Sequence, residues 1–400
     1  MRLAFLGGHP TIGGIFSVFR LLRSALSPSG VELRWLGTGP GAHAALGSPC
    51  WAGEMEHGTV VGTPDGDERA LGLALLDVIA QNRFDGVMVN VLTGRAEMNV
   101  TRYLPAGILR IMLVHNITPG TYAAARALRD HVHATVGVSP RIRIDLIARH
   151  RFDPRRTFII PNAAGPVGGT GRRDQLNGAL RLAYLGRVED AAKGVFLLPD
   201  ILGGLDPAIT LTVGGDGPDL PALKARCAHL GSRVQFAGVV RPEQVPEFLL
   251  AHHALLMPSR FEGLPLTLLE AMAAGCVPVV TRIAGVTDEI VTEGTDGLLF
   301  PPANSRAARR AIMRLAADRA ALDEMSQAAR RTARASFSIE KMATRYLEVI
   351  ATVRAAPAEI LQPLDAANWR LPLGMWPGLR TFLPSPAKNA LRTLRERMAA

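Results

Sequence analysis

Two carboxylates flank a predicted helix start in the stretch PSRFEGLPLTLLEAMAAGCVPVV, residues 258–280, where seven positions separate Glu262 from Glu270. The apolar pattern favours a helix over 265–274 that begins at Pro265. Most faces of this helix are apolar, which predicts packing on most sides. A carboxylate in such a setting must reach water or a partner, because burying it unpaired is costly. Glu270 therefore indicates a ligand-binding position.

The residues just before this helix predict a site for phosphate. Backbone N–H groups at a helix N-terminus have no partner within the helix and favour a negatively charged group. The two carboxylates can accept hydrogen bonds from paired hydroxyls, one from a ribose and one from a transferred sugar. The combination predicts a nucleotide sugar held at Gly263, Leu264 and Pro265, between Glu262 and Glu270. A solvated pair of surface carboxylates is the alternative.

Two cations stand in the segment YLGRVEDAAKG, residues 184–194, where a predicted strand ends in a loop with Arg187 and Lys193. Lysine occurs only at positions 193, 224, 341 and 388, so a lysine in this loop is not the default basic residue. An ammonium group and a forked guanidinium both suit the oxygens of a diphosphate. Two exposed loop cations without a ligand are the alternative.

The amino-terminal part of the chain supplies further candidates. GGHPTIGGI, residues 7–15, follows the first strand and opens a helix, and Gly13–Gly14 would let the backbone approach a phosphate closely. His115 ends the strand IMLVH, at the edge where open α/β sheets bind ligands. A packed or capped histidine is the alternative reading of that position. No acidic cluster with a strand-end Asp-x-Asp pattern occurs, so no metal site is predicted.

Apolar runs alternate with helical patterns along the chain, which is the βαβ rhythm of a parallel sheet. The runs are mostly uninterrupted, as expected for strands covered on both faces. A glycine-rich, unpatterned segment at 163–179 predicts a linker between two such series. The predicted fold class is therefore α/β, with two doubly wound units in tandem, a helix near 338–354 and a tail containing proline and tryptophan.

The stretch PSRFEGLPLTLLEAMAAG resembles the Glu, seven residues, Glu motif of retaining GT-B glycosyltransferases, specifically glycosyltransferase family 4 (group 1). In that family the first glutamate contacts the donor sugar and the second binds the ribose hydroxyls. YLGRVEDAAKG resembles the family's Gly-Arg and Lys-Gly motif, whose cations neutralise the leaving diphosphate. The resemblance implies catalytic roles for Glu262, His115, Arg187 and Lys193, and donor contacts at Gly13, Gly14, Gly263, Leu264, Pro265, Glu270, Val239 and Val240.

The resemblance also implies an architecture and a division of labour. Two Rossmann-like doubly wound domains would face each other across a cleft, and a C-terminal helix would return to the first domain. Residues 1–165 would bind the acceptor and residues 180–338 the nucleotide-sugar donor. Residues 339–400 would form the returning helix and a tail that crosses back and faces a membrane.

Composition favours anionic partners and a reducing compartment. The formal charge is +10, mostly from arginine, and the three cysteines are far apart in the sequence. No apolar run is long enough to predict a spanning helix, and the short, glycine-broken opening residues predict a buried strand more than a signal peptide. A basic amphipathic segment at 141–156 and the aromatic, basic tail at 369–398 predict peripheral attachment to an anionic membrane. A solvated charged face, or a tail packed on the first domain, is the alternative.

Taken with the family resemblance, these observations predict a cytoplasmic enzyme, peripheral on the inner face of the membrane. It would transfer a hexose, with retention and without metal or cofactor, from a nucleotide-diphosphate sugar to a polyprenyl-diphosphate-linked acceptor or a growing glycan. Such a reaction belongs to bacterial exopolysaccharide or cell-envelope biosynthesis. A GT-B nucleotide-sugar 2-epimerase and a non-catalytic nucleotide-binding module are the alternatives. No nucleic-acid partner is predicted, because no basic motif interleaved with aromatic residues occurs.

Overall fold

A computed structural model describes residues 1–11, 13–91, 93–165, 167, 178–376 and 382–399. The chain divides into two compact units, which combine sequence-distant segments. Unit 1 comprises Met1–Ala163 and Ile339–Gly378, and unit 2 comprises Ala164–Ser338 and Leu379–Ala400. The predicted linker at 163–179 lies largely outside the described residues, so its structure stays a prediction.

Unit 1 is built on a seven-stranded parallel sheet with the strand order β3-β2-β1-β4-β5-β6-β7. Its strands are β1 (Arg2–Leu6), β2 (Glu32–Thr38), β3 (Gly58–Val61), β4 (Gly86–Asn90), β5 (Leu109–Val114), β6 (Ala134–Gly137) and β7 (Thr157–Ile159). Its helices are α1 (Gly14–Leu26), α2 (Gly39–Leu46), α3 (Glu68–Gln81), α4 (Arg95–Asn99), α5 (Pro119–Leu128) and α6 (Pro140–His150). The edge strand β3 has four residues, of which Thr59 is exposed and Val60 half-buried, so it lacks the continuous apolar run of the central strands.

Unit 2 is built on a six-stranded parallel sheet with the strand order β10-β9-β8-β11-β12-β13. Its strands are β8 (Arg181–Leu185), β9 (Thr210–Gly214), β10 (Val234–Gly238), β11 (Ala254–Met257), β12 (Val277–Thr281) and β13 (Leu298–Phe300). Its helices begin with α7 (Asp190–Lys193), α8 (Leu197–Gly203), α9 (Leu220–Cys227) and α10 (Val245–Leu250), and continue with α11 (Leu266–Ala274), α12 (Ser305–Ala317) and α13 (Arg319–Ser336).

Both sheets are buried on both faces, which explains the continuous apolar runs. In unit 2, residues such as Leu182, Tyr184 and Leu256 are fully or almost fully buried and belong to one core cluster. Strand order reverses between β8 and β11, as it does between β1 and β4 in unit 1. In open α/β sheets, ligands bind beyond the carboxyl ends of the strands at such a reversal. The prediction of two doubly wound α/β units is confirmed.

The last part of the chain contributes to both units. Helix α14 (Ile339–Ala355) packs against α1 in unit 1, which confirms the predicted return of a C-terminal helix. Farther on, the ring of Trp369 stacks on Tyr103 with centroids 4.3 Å apart, and its Nε1 donates to Glu68 at 2.9 Å. Helix α15 (Ser385–Ala399) then belongs to unit 2 and contacts α7. The tail therefore packs on the first unit only in its first part.

The basic segment at 141–156 is not one amphipathic helix. Helix α6 ends at His150, and Arg151 adopts a left-handed conformation with φ of 57°. The apolar residues Ile142 and Leu146 are fully buried in unit 1, so this side of α6 faces protein. Two arginines of the segment lie near Asp145, within 3.8 Å and 3.2 Å of its carboxylate. Among the described residues, no helix is long and apolar enough to cross a bilayer.

Candidate functional site

The loops that follow β8 and β11 touch each other at a glycine. Gly194 ends α7 in a left-handed conformation with φ of 62°. A Cβ atom at this position would lie 2.2 Å from the carbonyl oxygen of Pro258. Only glycine permits both the conformation and the approach. The close contact brings the segment that carries Lys193 against the segment that carries Glu262.

Lys193 and Glu262 form a direct ion pair. The distance from Lys193 Nζ to Glu262 Oε1 is 2.7 Å, and Ser259 Oγ donates to the same oxygen, also at 2.7 Å. Glu262 is 8 % exposed. An ammonium has three donors, and only one of them is used on Glu262. The pair therefore leaves ammonium protons available for a second anion, and Ser259 is a contact that the sequence analysis did not single out.

Helix α11 begins one residue later than predicted. Pro265 is its N-cap, with φ of −74° and ψ of 115°, and Leu266 is its first residue. Proline is preorganised for this boundary because its ring fixes φ, and it cannot supply an N–H group itself. No side chain caps the helix, so its first N–H groups remain without a side-chain acceptor. Gly263, Leu264 and Pro265 are buried beneath this open end.

Glu270 lies on α11 in a half-buried position. Burial raises the pKa of its carboxyl to about 7. Among the residues that the structure describes, none forms a hydrogen bond or an ion pair with this carboxylate. A half-buried carboxylate without a partner is unfavourable to the folded chain, and a ligand with hydroxyl donors would relieve that cost.

Arg187 does not join the pair. Its side chain is 65 % exposed, and its Nε lies 3.8 Å from Glu189 Oε2. Its backbone carbonyl accepts a hydrogen bond of 2.7 Å from the buried Tyr184 hydroxyl, so the main chain is fixed while the guanidinium extends into solvent. The role predicted for Arg187 toward a diphosphate stays a prediction, and it requires the side chain to turn toward the ligand.

Val239 and Val240 follow the carboxyl end of β10. Val239 is exposed, and Val240 lies against Gly214, where an added Cβ would approach its Cγ2 to 2.9 Å. The glycines after β9 are needed for packing: a Cβ on Gly215 would lie 1.9 Å from the Gly186 carbonyl oxygen. Packing therefore explains the glycine turn after β9, and the donor contacts assigned to the two valines stay predictions.

The candidates in unit 1 lie at the carboxyl edge of its own sheet. Gly13 is the N-cap of α1 with an extended φ of 168°, and no described atom lies within 4 Å of where its Cβ would be. Gly14 is the first residue of that helix. The fold itself therefore does not require glycine at position 13, which is compatible with the predicted approach of a ligand.

His115 is held in a single neutral tautomer. Asn90 Nδ2 donates to the Leu6 carbonyl at 2.8 Å, which leaves Asn90 Oδ1 as the acceptor for His115 Nε2 at 2.8 Å. Burial lowers the pKa of His115 to about 4, so the ring is neutral at pH 7 and Nδ1 is the acceptor. The sequence analysis missed Asn90, because only the paired strands β4 and β5 bring the two side chains together.

Two further histidines, His133 and His253, have structural roles. His133 Nδ1 accepts from the Arg110 backbone N–H at 3.0 Å, and His253 Nδ1 accepts from the Arg181 backbone N–H at 2.9 Å. Within the described ranges, no group of three or more His, Cys, Asp or Glu side chains could hold a metal ion.

Two Rossmann-like units define the chain as a protein of the GT-B architecture. The solved structure of Anabaena HepE in complex with UDP and glucose superposes with a TM-score of 0.72 over 88 % of this chain and 100 % of that one, at 18 % identity. At this level of identity the likeness shows the fold. Residues 179–318, about a third of the chain, match the family model described as glycosyl transferases group 1.

Two curated relatives are similar over part of their length. The phosphatidylinositol N-acetylglucosaminyltransferase gpi3 subunit of Schizosaccharomyces pombe is 28 % identical over 177 residues, which are 41 % of this chain and 37 % of that protein. Glycogen synthase of Mycobacterium tuberculosis is 28 % identical over 203 residues, 49 % of this chain and 48 % of the relative. The chain thus spans less than half of the length of either relative.

Proposed function

We propose that this protein is a retaining glycosyltransferase that uses a nucleotide-diphosphate sugar. The observation that carries the proposal is the Lys193–Glu262 pair of 2.7 Å beside the uncapped N-terminus of α11. A diphosphate at that helix end would be stabilised by backbone N–H groups and by the remaining ammonium protons of Lys193. Glu270, on the same helix, would accept hydrogen bonds from the ribose hydroxyls.

The chemistry follows from where charge develops. Cleavage of the bond between the anomeric carbon and the phosphate oxygen makes the sugar positive and the diphosphate negative. Glu262 would stabilise the oxocarbenium-like sugar, and Lys193 would stabilise the leaving group. His115, neutral and held by Asn90, would offer Nδ1 to a donor hydroxyl. Arg187 would add a second cation, and the same assignment requires no metal.

The donor is proposed to carry uridine diphosphate and a hexose. HepE, which has the same fold, was solved with UDP and glucose, and the fission-yeast relative is named for N-acetylglucosamine transfer. A thermal-shift screen with uridine, guanosine and adenosine diphosphate sugars tests this choice, because at equal concentration the ligand that binds the folded protein more tightly raises the melting temperature more. A larger stabilisation by a guanosine or adenosine sugar would overturn it.

The acceptor is proposed to be a lipid-linked glycan at the inner face of a bacterial cytoplasmic membrane. Helix α15 exposes Leu391, Leu394 and Met398, whose spacing places them on one face, and its sequence contains four basic residues and one acidic residue. Phe382, just before it, is also largely exposed. These residues can insert among anionic lipid headgroups, whereas α6 cannot offer its buried side.

Cosedimentation with phosphatidylglycerol vesicles tests the membrane proposal. Changing Leu391, Leu394 and Met398 together to glutamine should abolish pelleting and leave donor binding intact. Wild-type pelleting by the triple variant would contradict it.

A transfer assay separates this function from its alternatives. Incubation of the protein with UDP-sugar alone should leave the sugar configuration unchanged at C2, and addition of an acceptor should yield a glycoside, with or without EDTA. Conversion of the donor alone to its 2-epimer would favour the epimerase. Donor binding without turnover, in both wild type and Glu262→Gln, would favour the nucleotide-binding module.

A further inference from the structure

A second ion pair joins the two loops that carry Lys193 and Glu262. Arg260 Nη2 lies 2.8 Å from Asp190 Oδ2, and Arg260 Nε donates to the Asp190 carbonyl at 2.9 Å. Both side chains are largely buried, with 14 % and 12 % exposure. The backbone N–H of Arg260 also donates to the Ala192 carbonyl at 2.8 Å. Arg260 thus holds α7 by three hydrogen bonds.

Asp190 is anchored from several directions. Its Oδ1 accepts from the Phe196 backbone N–H at 3.0 Å, and its own N–H donates to Asp219 Oδ2 at 2.7 Å. Asn389 of α15 adds a longer contact of 3.4 Å to Oδ2. A four-residue helix such as α7 has almost no stability of its own, because forming the first turn is unfavourable. The position of α7 is therefore determined by these side-chain contacts.

The two ion pairs lie side by side in the sequence, so a change in one should move the other. Asp190 stands three residues before Lys193 on α7, and Arg260 stands two residues before Glu262 in the facing loop. Each pair bridges the same two segments, and the Asp190–Arg260 bridge is the more rigid because it has a planar guanidinium with two bonds. Lys193, whose side chain is flexible, is held by its single contact with Glu262.

We propose that Asp190 and Arg260 are positioning residues that fix the separation of Lys193 from Glu262. The role rests on the proposed glycosyl transfer for its kinetic consequences, since a misplaced cation would stabilise the leaving diphosphate poorly. The geometric part of the inference is independent of any reaction. Without the bridge, α7 shifts, and the Lys193 ammonium loses its contact with the Glu262 carboxylate.

The chain's low lysine content allows a direct test without substrate. Reductive methylation with ¹³C-formaldehyde labels Lys193, Lys224, Lys341, Lys388 and the amino terminus, and a Lys193→Arg variant assigns the signal of interest. In Arg260→Gln and Asp190→Asn, the Lys193 methyl signal should move toward that of a solvated lysine. The signals of Lys224 and Lys341 should keep their wild-type positions.

A matched control is Arg233→Gln. Arg233 also donates to backbone carbonyls in unit 2, those of Leu202, Leu205 and Asp206. It precedes β10, at the amino ends of the strands, whereas the two ion pairs follow the carboxyl ends of β8 and β11. This variant should leave the Lys193 signal unchanged. An unmoved Lys193 signal in Arg260→Gln, or equal movement of the reference lysines, would overturn the inference whether or not the protein transfers sugars.

A double-mutant cycle measured by steady-state kinetics tests whether the Asp190–Arg260 bridge acts on the reaction through Lys193. Arg260→Gln should lower kcat about 10–100-fold with KM changed less than about threefold, as expected for a small displacement of a catalytic group. In a Lys193→Ala background the same change should alter kcat less than about twofold, because its target is gone. Independent, multiplicative losses would show a general structural role and contradict the proposal.

Discussion

Lys193 uses one of its three ammonium protons on Glu262 in the absence of ligand. If the other protons serve the leaving diphosphate, the residue matters more in the transition state than in the bound complex, because the leaving group is more negative there than in the bound substrate. Lys193→Ala should lower kcat about 100-fold or more and weaken UDP-sugar binding less than about tenfold. Steady-state kinetics and calorimetry on the same preparation give both values.

The exposed Lys224 supplies the control for that substitution. It lies over the Phe236 ring at 5.5 Å and far along the sequence from both loops. Lys224→Ala should retain wild-type kcat. Equal losses of affinity and turnover in Lys193→Ala would mean that the ammonium acts in ground-state binding only.

Glu270 combines a stability cost with a proposed binding role. Its pKa is about 7 in the folded chain and 4.5 in the unfolded one, so the folded state retains a proton that the unfolded state releases between these values. The contribution of Glu270 to the free energy of unfolding is therefore largest below pH 4.5 and is lost as pH rises to 7. Glu270→Gln should stabilise the ligand-free protein at pH 8 by about 1–2 kcal/mol, after allowance for its partial exposure.

Urea unfolding at pH 5 and pH 8 measures this effect. The stabilisation by Glu270→Gln should be small at pH 5 and larger at pH 8, and the same variant should bind donor more weakly. A stabilisation independent of pH would show that the carboxyl does not titrate in this range.

At the scale of single residues, the sequence motifs predicted which side chains form the candidate site better than they predicted the contacts between those side chains. The pairing of Lys193 with Glu262 connects positions 69 apart, and the local sequence of each segment predicted a cation and a carboxylate. The local sequence could not predict the Asp190–Arg260 bridge, because an aspartate and an arginine in two separate loops do not show that their side chains are paired in space. Arg187 shows the converse: its motif is present, yet its guanidinium is exposed.

The contact between the loops after β8 and β11 depends on Gly194 as an element of structure. Gly194→Ala would introduce both a strained left-handed conformation and a Cβ 2.2 Å from the Pro258 carbonyl oxygen. The variant should lose about 2–4 kcal/mol of unfolding free energy and most of its turnover, since the loops must separate. Chemical denaturation followed by circular dichroism measures the first effect.

Gly30 offers a matched control because it has a similar backbone conformation, with φ of 73° and ψ of 20°, and open space around its Cβ position. Gly30→Ala should cost about 1 kcal/mol, the price of the backbone conformation alone. Equal costs at the two glycines would contradict the close-approach argument.

Elements were predicted from sequence where burial dictates a pattern. The central strands are continuous apolar runs, and α11 was placed within one residue because Pro265 and Gly275 mark its ends. The return of α15 to unit 2 was not predicted, since its apolar residues Leu391, Leu394 and Met398 remain exposed and give no core pattern. The amphipathic segment predicted at 141–156 does not continue as a helix beyond His150, because Arg151 adopts a left-handed conformation.

Across the whole molecule, acid should destabilise unit 1 more than unit 2. Burial lowers the pKa of His115, His131 and His133 in unit 1 to about 4. The unfolded chain takes up these protons near pH 6.5 and the folded chain does not, so stability present above pH 6.5 is lost as pH falls to 4. In unit 2 burial also lowers the pKa of His252, but the raised pKa of Glu270 offsets part of the resulting loss of stability over much of the same interval.

Amide hydrogen exchange at pH 6.5 and pH 4.5, corrected for intrinsic rates, should therefore show greater loss of protection in unit 1 than in unit 2. His131→Gln should reduce that loss. Uniform loss in both units, unaffected by the substitution, would mean that the imidazoles do not control acid stability.

The central claim is that a nucleotide sugar binds unit 2 at the N-terminus of α11, with its ribose hydroxyls on Glu270. Isothermal titration calorimetry with UDP-glucose, on wild type, Glu270→Ala and the exposed control Glu324→Ala, tests it most directly. We expect saturable binding to wild type and the control, and affinity at least about tenfold lower in Glu270→Ala, the loss of two charge-assisted hydrogen bonds. Equal affinity in all three proteins would contradict the account.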